Sequence, residues 1–245
     1  MANDDAFRQA PADNPYYAPQ AAPAEAGGYI TRSELTLNPW TSIWTRPRAT
    51  IRQIVDTDPK YMVIPLGAAA GIAQALGEIS DRPQNDELPL QMIMAIAIGV
   101  GAVLGLAGLF VGGWVIRWTA SWLGGVGTSL QTRAAWAWGQ VPVVATIPIM
   151  LTLIALFGLD VFNNYSPETE LQAQLWPLIL VGGGLVVVLS VWSVFTLLKC
   201  VAEVHQFSSW RSLGAFFLAS LVVFAVVFVP IILFGIVAGI AVGFR

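Results

Sequence analysis

This sequence predicts an all-α, polytopic integral membrane protein. Five transmembrane helices are expected, preceded by an interfacial amphipathic helix. Three observations predict it. Five long apolar runs, Tyr61–Ile79, Leu90–Trp118, Ala134–Leu159, Leu175–Leu198 and Leu213–Phe244, each suffice to cross a hydrocarbon core of about 30 Å at ~1.5 Å per residue. Of the 245 residues, 56% are hydrophobic and only 11% charged, where a soluble domain carries about 25% charged residues. Finally, the basic residues are distributed asymmetrically about the runs, ten of the twelve falling on one side, as membrane topology requires.

Residues 1–37 come first. Pro11, Pro15, Pro19 and Pro23 stand among Ala, Asp, Asn and Gln, with no apolar stretch that would make a cleavable signal. Such a segment buries too little surface to offset its ordering entropy, so a disordered cytoplasmic tail is expected.

The lead-in, residues 38–58, is amphipathic. At about 100° per residue, Trp40, Ile43, Trp44, Pro47, Ile51, Ile54 and Val55 share roughly one third of a helix circumference, and Arg46, Arg48 and Arg52 flank that stripe. Tryptophan with flanking arginine suits a helix lying in the headgroup region, so Trp40, Trp44, Arg46, Arg48 and Arg52 are read as membrane-interface residues. Asn38 is a cap and Pro39 a first helical residue. Because Pro47 disfavours a helical Arg46, the segment can also be a short turn followed by a helix over Pro47–Asp56, capped by Thr45. Asp58-Pro59 marks the bend into the membrane domain, residues 59–245.

Orientation follows from charge. Arg8, Arg32, Arg46, Arg48, Arg52 and Lys60 precede the first run; Arg117 and Arg133 flank the second turn, and Lys199 and Arg211 the fourth. The other two loops carry Arg82 alone, against Asp81, Asp86, Glu87, Asp160, Glu168 and Glu170. Five spans with a cytoplasmic N-terminus and a C-terminus on the opposite side satisfy the positive-inside rule at every loop. Pro142 and Pro148 are expected to kink the third span and Pro230 the fifth.

Small residues recur at helix-face spacing. Ala97, Gly101, Gly105, Gly108 and Gly112 form one stripe on the second span, Gly67, Gly71 and Ala75 one on the first, and Gly235, Gly239 and Gly243 one on the fifth. Such stripes let helix backbones approach closely in lipid. They serve packing within the chain or, as an alternative, association with a second copy.

Chemistry is sparse. One cysteine, Cys200, and one histidine, His205, exclude an internal disulfide and a cysteine–histidine metal cluster. Cys200 is read as a plain apolar residue, with lipidation as the alternative. No nucleophile–base, zinc-binding or phosphate-loop motif is present; Gly124-Gly125-Val126-Gly127-Thr128-Ser129 superficially resembles a phosphate cradle but lacks its lysine, and reads as a flexible connection. No catalytic residue, metal ligand or cofactor is therefore expected. The net charge of −3 offers no case for nucleic acid. Ionisable residues near span ends are the candidate polar groups: Glu78, Lys199 and Glu203, the last two four residues apart and able to pair.

The lead-in from Asn38-Pro39-Trp40 to Asp58-Pro59, the five runs and Ser209-Trp210-Arg211 resemble the Yip family of Ypt-interacting membrane proteins, in its bacterial branch. The resemblance covers residues 38–245. It implies a non-enzymatic scaffold or organiser in a bacterial inner membrane, whose partners are membrane lipids and either other membrane proteins or a second copy. The eukaryotic relatives bind Rab-type GTPases, but their acidic-aromatic signature (Asp-Leu-Tyr/Trp-Gly-Pro) has no match here, so GTPase binding is not carried over. A small-solute or lipid transporter or channel using the polar groups at the span ends is the alternative.

Overall fold

A computed structural model describes residues 37–79, 90–157 and 170–243. The tail expected over residues 1–37 lies outside it except for Leu37. Among the described residues the structure is helical, without strands: α1 (Pro39–Ser42), α2 (Pro47–Thr57), α3 (Val63–Ile79), α4 (Leu90–Trp122), α5 (Ser129–Gly139), α6 (Val141–Val144), α7 (Thr146–Phe157), α8 (Glu170–Val204) and α9 (Ser209–Gly243). Four stretches are long and apolar enough to cross a membrane, Gln91–Trp122, Ser129–Phe157, Trp176–Val204 and Ser209–Ile232, and Val63–Glu78 is a shorter apolar helix.

The most intimate packing joins α3 to α4. A Cβ on Gly71 would lie 2.1 Å from the Gly101 carbonyl oxygen, and one on Gly105 would lie 2.4 Å from that of Gly67. Gly67 meets Leu109, while Gly101 meets Ala75, so the register runs antiparallel. Gly67, Gly71, Gly101 and Gly105 thus hold two backbones in direct contact within one chain. Gly112 faces the Trp136 ring, whereas Gly108 has nothing nearby. The contacts of Gly235 and Gly239 lie outside the described side chains.

α5 packs against α2, α3, α4 and α8, and α9 lies against α4 and α8. The third apolar run is not one kinked helix. It breaks at Gln140 and Ala145 into α5, α6 and α7, which places Pro142 and Pro148 in first turns, where a missing backbone donor leaves no carbonyl unpaired. α9 runs on through Pro230, and α8 through Pro177.

α4, α8 and α9 have 33, 35 and 35 residues, hence lengths of about 50 Å. At one end of the bundle they run beyond the continuous apolar runs read from the sequence: α4 continues past Trp118, α8 past Leu198, and α9 and α5 begin before Leu213 and Ala134. These extensions and α2 bury the main core there, around Ile51, Leu109, Ala120, Trp138 and Val201. Farther along, the helices are bare: only 6% of the apolar window in α8 and 11% of that in α9 is buried. Their exterior is valine, leucine and phenylalanine, including Val181, Val187, Phe195, Phe217 and Val226.

Gly71→Ala and Gly105→Leu should force α3 off α4 and cost about 3 kcal/mol or more, at the upper end of overpacking. Gly108→Ala should be neutral. Thermal melts and recovery of monodisperse protein in detergent would show the contrast.

Candidate functional site

The lead-in closes the extended end of the bundle. Asn38 caps α1 by accepting from the Trp40 amide at 3.0 Å, with Pro39 next in line. The chain then turns, and α2 starts at Pro47 behind Arg46, which makes no side-chain cap; Thr45 does not cap it. Thr50 Oγ1 instead bonds Arg46 O at 2.9 Å and Ser42 Oγ at 2.8 Å, stitching α2 to α1.

The apolar stripe of this segment faces protein. Ile43, Pro47, Ile51 and Ile54 are buried against α5 and α8, so they are not available to headgroups. An amphipathic face settles on whatever apolar surface is nearest, and the extended helix ends provide it. Trp40 and Trp44 are partly exposed. Trp40 rests on the Trp138 ring, 5.1 Å between centroids. Indole donors tie the segment down: Trp192 Nε1 to Trp44 O at 3.2 Å, and Trp138 Nε1 to Tyr61 O at 3.1 Å. Arg46, Arg48 and Arg52 are exposed. Arg48 donates to Ser209 Oγ at 3.1 Å.

Arg52 forms an ion pair with Glu203. Lys199 is exposed and does not take that carboxylate, so the pairing read from their four-residue spacing gives way to one across α2 and α8. Arg52 reaches the end of α8 from α2, while Lys199 makes no ion pair with Glu203. Cys200 is fully buried with its Sγ 3.8 Å from Pro47 O, which leaves no access for a lipidating enzyme.

His205, not singled out as functional by sequence, organises this end. Its ring is 1% exposed. The Gly127 amide donates to Nδ1 at 3.2 Å, and Nε2 lies 3.1 Å from Thr132 Oγ1, which itself donates to Thr128 O at 2.8 Å. Those partners define a neutral imidazole that accepts at Nδ1 and donates at Nε2. Phe207 stacks on the ring at 5.5 Å. The glycine-rich turn is moulded to it: a Cβ on Gly125 or Gly127 would lie 2.6 or 2.9 Å from Nδ1. The turn is therefore a fitted wrap around one side chain and not a loose connection. Thr128 and Gln131 then form a capping box for α5. Gly124, at φ +81, ends α4, and Gln206, at φ 56, ends α8 in the same left-handed way.

A second polar feature lies between α3, α4, α5 and α6. It is a groove of about 220 Å³ walled by Gly71, Gly101 and Gly105, with Gln74, Glu78 and Gln140 among its lining. Gln74 Nε2 donates to Gln140 Oε1 at 2.9 Å. Glu78 is exposed there, far from Lys199 and Glu203 along the bundle. Among the described residues no group of His, Cys, Asp and Glu could hold a metal ion.

Helices of membrane-crossing length with an aliphatic exterior, joined at one basic end, define a multi-pass integral membrane protein. The chain belongs to the Yip1 domain family, which matches residues 41–242. No curated protein and no solved structure matches it.

Burial, reinforced by the charge of Arg117, pushes the His205 pKa down from 6.5 to about 4. The unfolded chain takes up a proton near pH 6.5 while the folded one resists it until near pH 4, so stability is lost as pH falls through that window. The melting midpoint in detergent should drop between pH 6.5 and 4, by up to about 3 kcal/mol of stability. His205→Asn, already less stable at pH 7, should show a much flatter profile.

Proposed function

We propose that this protein is a non-enzymatic organiser of the membrane, with five spans, a cytoplasmic N-terminus and a C-terminus on the opposite side. The supporting observation is the basic end of the bundle. Arg46, Arg48, Arg52, Lys60, Arg117, Lys199 and Arg211 are exposed there, beside exposed Trp114, Trp118, Trp122 and Trp210. Indole rings among cations belong at the level of lipid headgroups, and net positive charge belongs on the cytoplasmic side. From that level α3, short as it is, runs about 25 Å at 1.5 Å per residue, and serves as the first of the five spans. The lead-in then lies in the headgroup zone with its polar edge outward and its apolar face on the bundle. The likeness to the bacterial branch supports an inner membrane. Partners would be lipids and other membrane proteins meeting the exposed arginines.

The groove at Gln74, Glu78 and Gln140 favours a second reading, a path for a small solute or lipid, because amides and a carboxylate facing lipid are costly without a role.

A reporter fused after residue 86 should read opposite to one fused at the N-terminus; the same reading from both would overturn the topology. Proteoliposomes should show no solute flux or lipid exchange, and crosslinkers placed at Arg48 should capture a specific membrane partner. Flux abolished by Glu78→Ala would replace the organiser with the transporter.

A further inference from the structure

We propose that the seam where α5 crosses α4 binds the phosphate of an anionic phospholipid through Arg133 and Arg117. This rests on the placement of the basic end among headgroups.

Arg133 leaves α5 and leans across α4. Its guanidinium carbon stands 4.7 Å above the Phe110 ring, and its Cγ fills the space that Gly113 leaves open, 3.1 Å from where a Cβ would be. Cation–π contact fixes the plane of the fork, yet the fork is not used by the protein. Nε is buried without a hydrogen-bond partner, and no carboxylate pairs with Arg133 among the described residues. An arginine held in one geometry with open donors is built for an acceptor from outside, and its planar fork matches a phosphate.

Arg117 supplies the second cation. Phe110, Gly113 and Arg117 are spaced by three and four residues, which puts them within about 60° on one face of α4. Arg117 is exposed and likewise unpaired among the described residues. It lies close enough to His205 to oppose protonation of that ring, and His205 in turn touches Thr132, the neighbour of Arg133. The two arginines thus put a pair of positive charges at the α4–α5 seam, where an anion would be drawn.

The aromatic setting indicates lipid as the source. Trp114, Trp118 and Trp122 climb the adjacent face of α4 as a ladder, with ring centroids 5.9 and 4.8 Å apart, all three exposed. A phosphate held here would keep its glycerol and acyl chains along tryptophans of headgroup depth. Basic pockets between membrane helices hold anionic headgroups in this manner.

Native mass spectrometry of the detergent-purified protein would count bound phosphatidylglycerol against phosphatidylcholine. Wild type should retain phosphatidylglycerol selectively. Arg133→Gln and Arg117→Gln should each weaken it about tenfold, the loss of a charge-assisted hydrogen bond; Arg133→Lys should lose part, and Thr152→Val, at an exposed position on α7, nothing. Equal retention by both glutamine variants overturns the site. Displacement of the lipid by millimolar inorganic phosphate would assign the two arginines to a soluble anion instead. Thermal melts identify a variant that fails to fold, in which case Arg117→Gln and Arg133→Lys decide. A spin label on Trp118→Cys separates the two failures. A label in bulk water defeats the placement of this end, whereas one at headgroup depth without arginine-dependent binding defeats only the lipid site.

Discussion

Backbone contact between α3 and α4 is the interaction on which the rest of the bundle depends. In lipid there is no hydrophobic force to press one helix on another, so close van der Waals approach must do it. α3 needs that help most. It is short, and Gln74 and Glu78 lower its apolar character. Glycine at Gly71 and Gly105 lets the carbonyls of one helix rest on the Cα atoms of the other, and the shallow furrow beside this seam becomes the amide-lined groove. The same residues explain why Gln74 and Gln140 can meet: each satisfies the other in a place where an unpaired amide is expensive.

The basic end works on a different principle. There the helices leave their apolar windows and pack by ordinary burial, with Ile51, Trp138 and Val201 sealed inside. Polar links then set the arrangement: Arg52 to Glu203, Arg48 to Ser209, and His205 to the Gly127 turn and Thr132. One half of the protein is thus held by fit without water, the other by a small core with satisfied polar groups. Arginines left over from that second half, among them Arg46, Arg117 and Arg211, are exposed.

Much of this was legible in the sequence. Apolar run length marked the four helices long enough to cross a membrane and the shorter apolar α3, and three-to-four spacing marked the glycine seam, because both depend on local geometry alone. Long-range choices were less legible. Lys199 is near Glu203 in sequence, but Arg52, 151 residues away, is nearer in space. Pro142 and Pro148 look like kinks to a reader who cannot see the helix restart before them. The stripe of α2 correctly announced an apolar face, yet nothing in it distinguished lipid from the ends of α5 and α8. His205 could have been suspected, since a lone histidine in an apolar chain and a turn with glycines at 124, 125 and 127 each ask for a partner, but only the fold introduces them to one another.

That meeting has a temporal consequence. Gly127 and His205 are 78 residues apart, and chains grow from the N-terminal side. The turn after α4 is finished long before the imidazole it encloses exists. Until the ribosome delivers that ring, the middle hairpin waits unlatched, and the last pair of helices brings the latch with it.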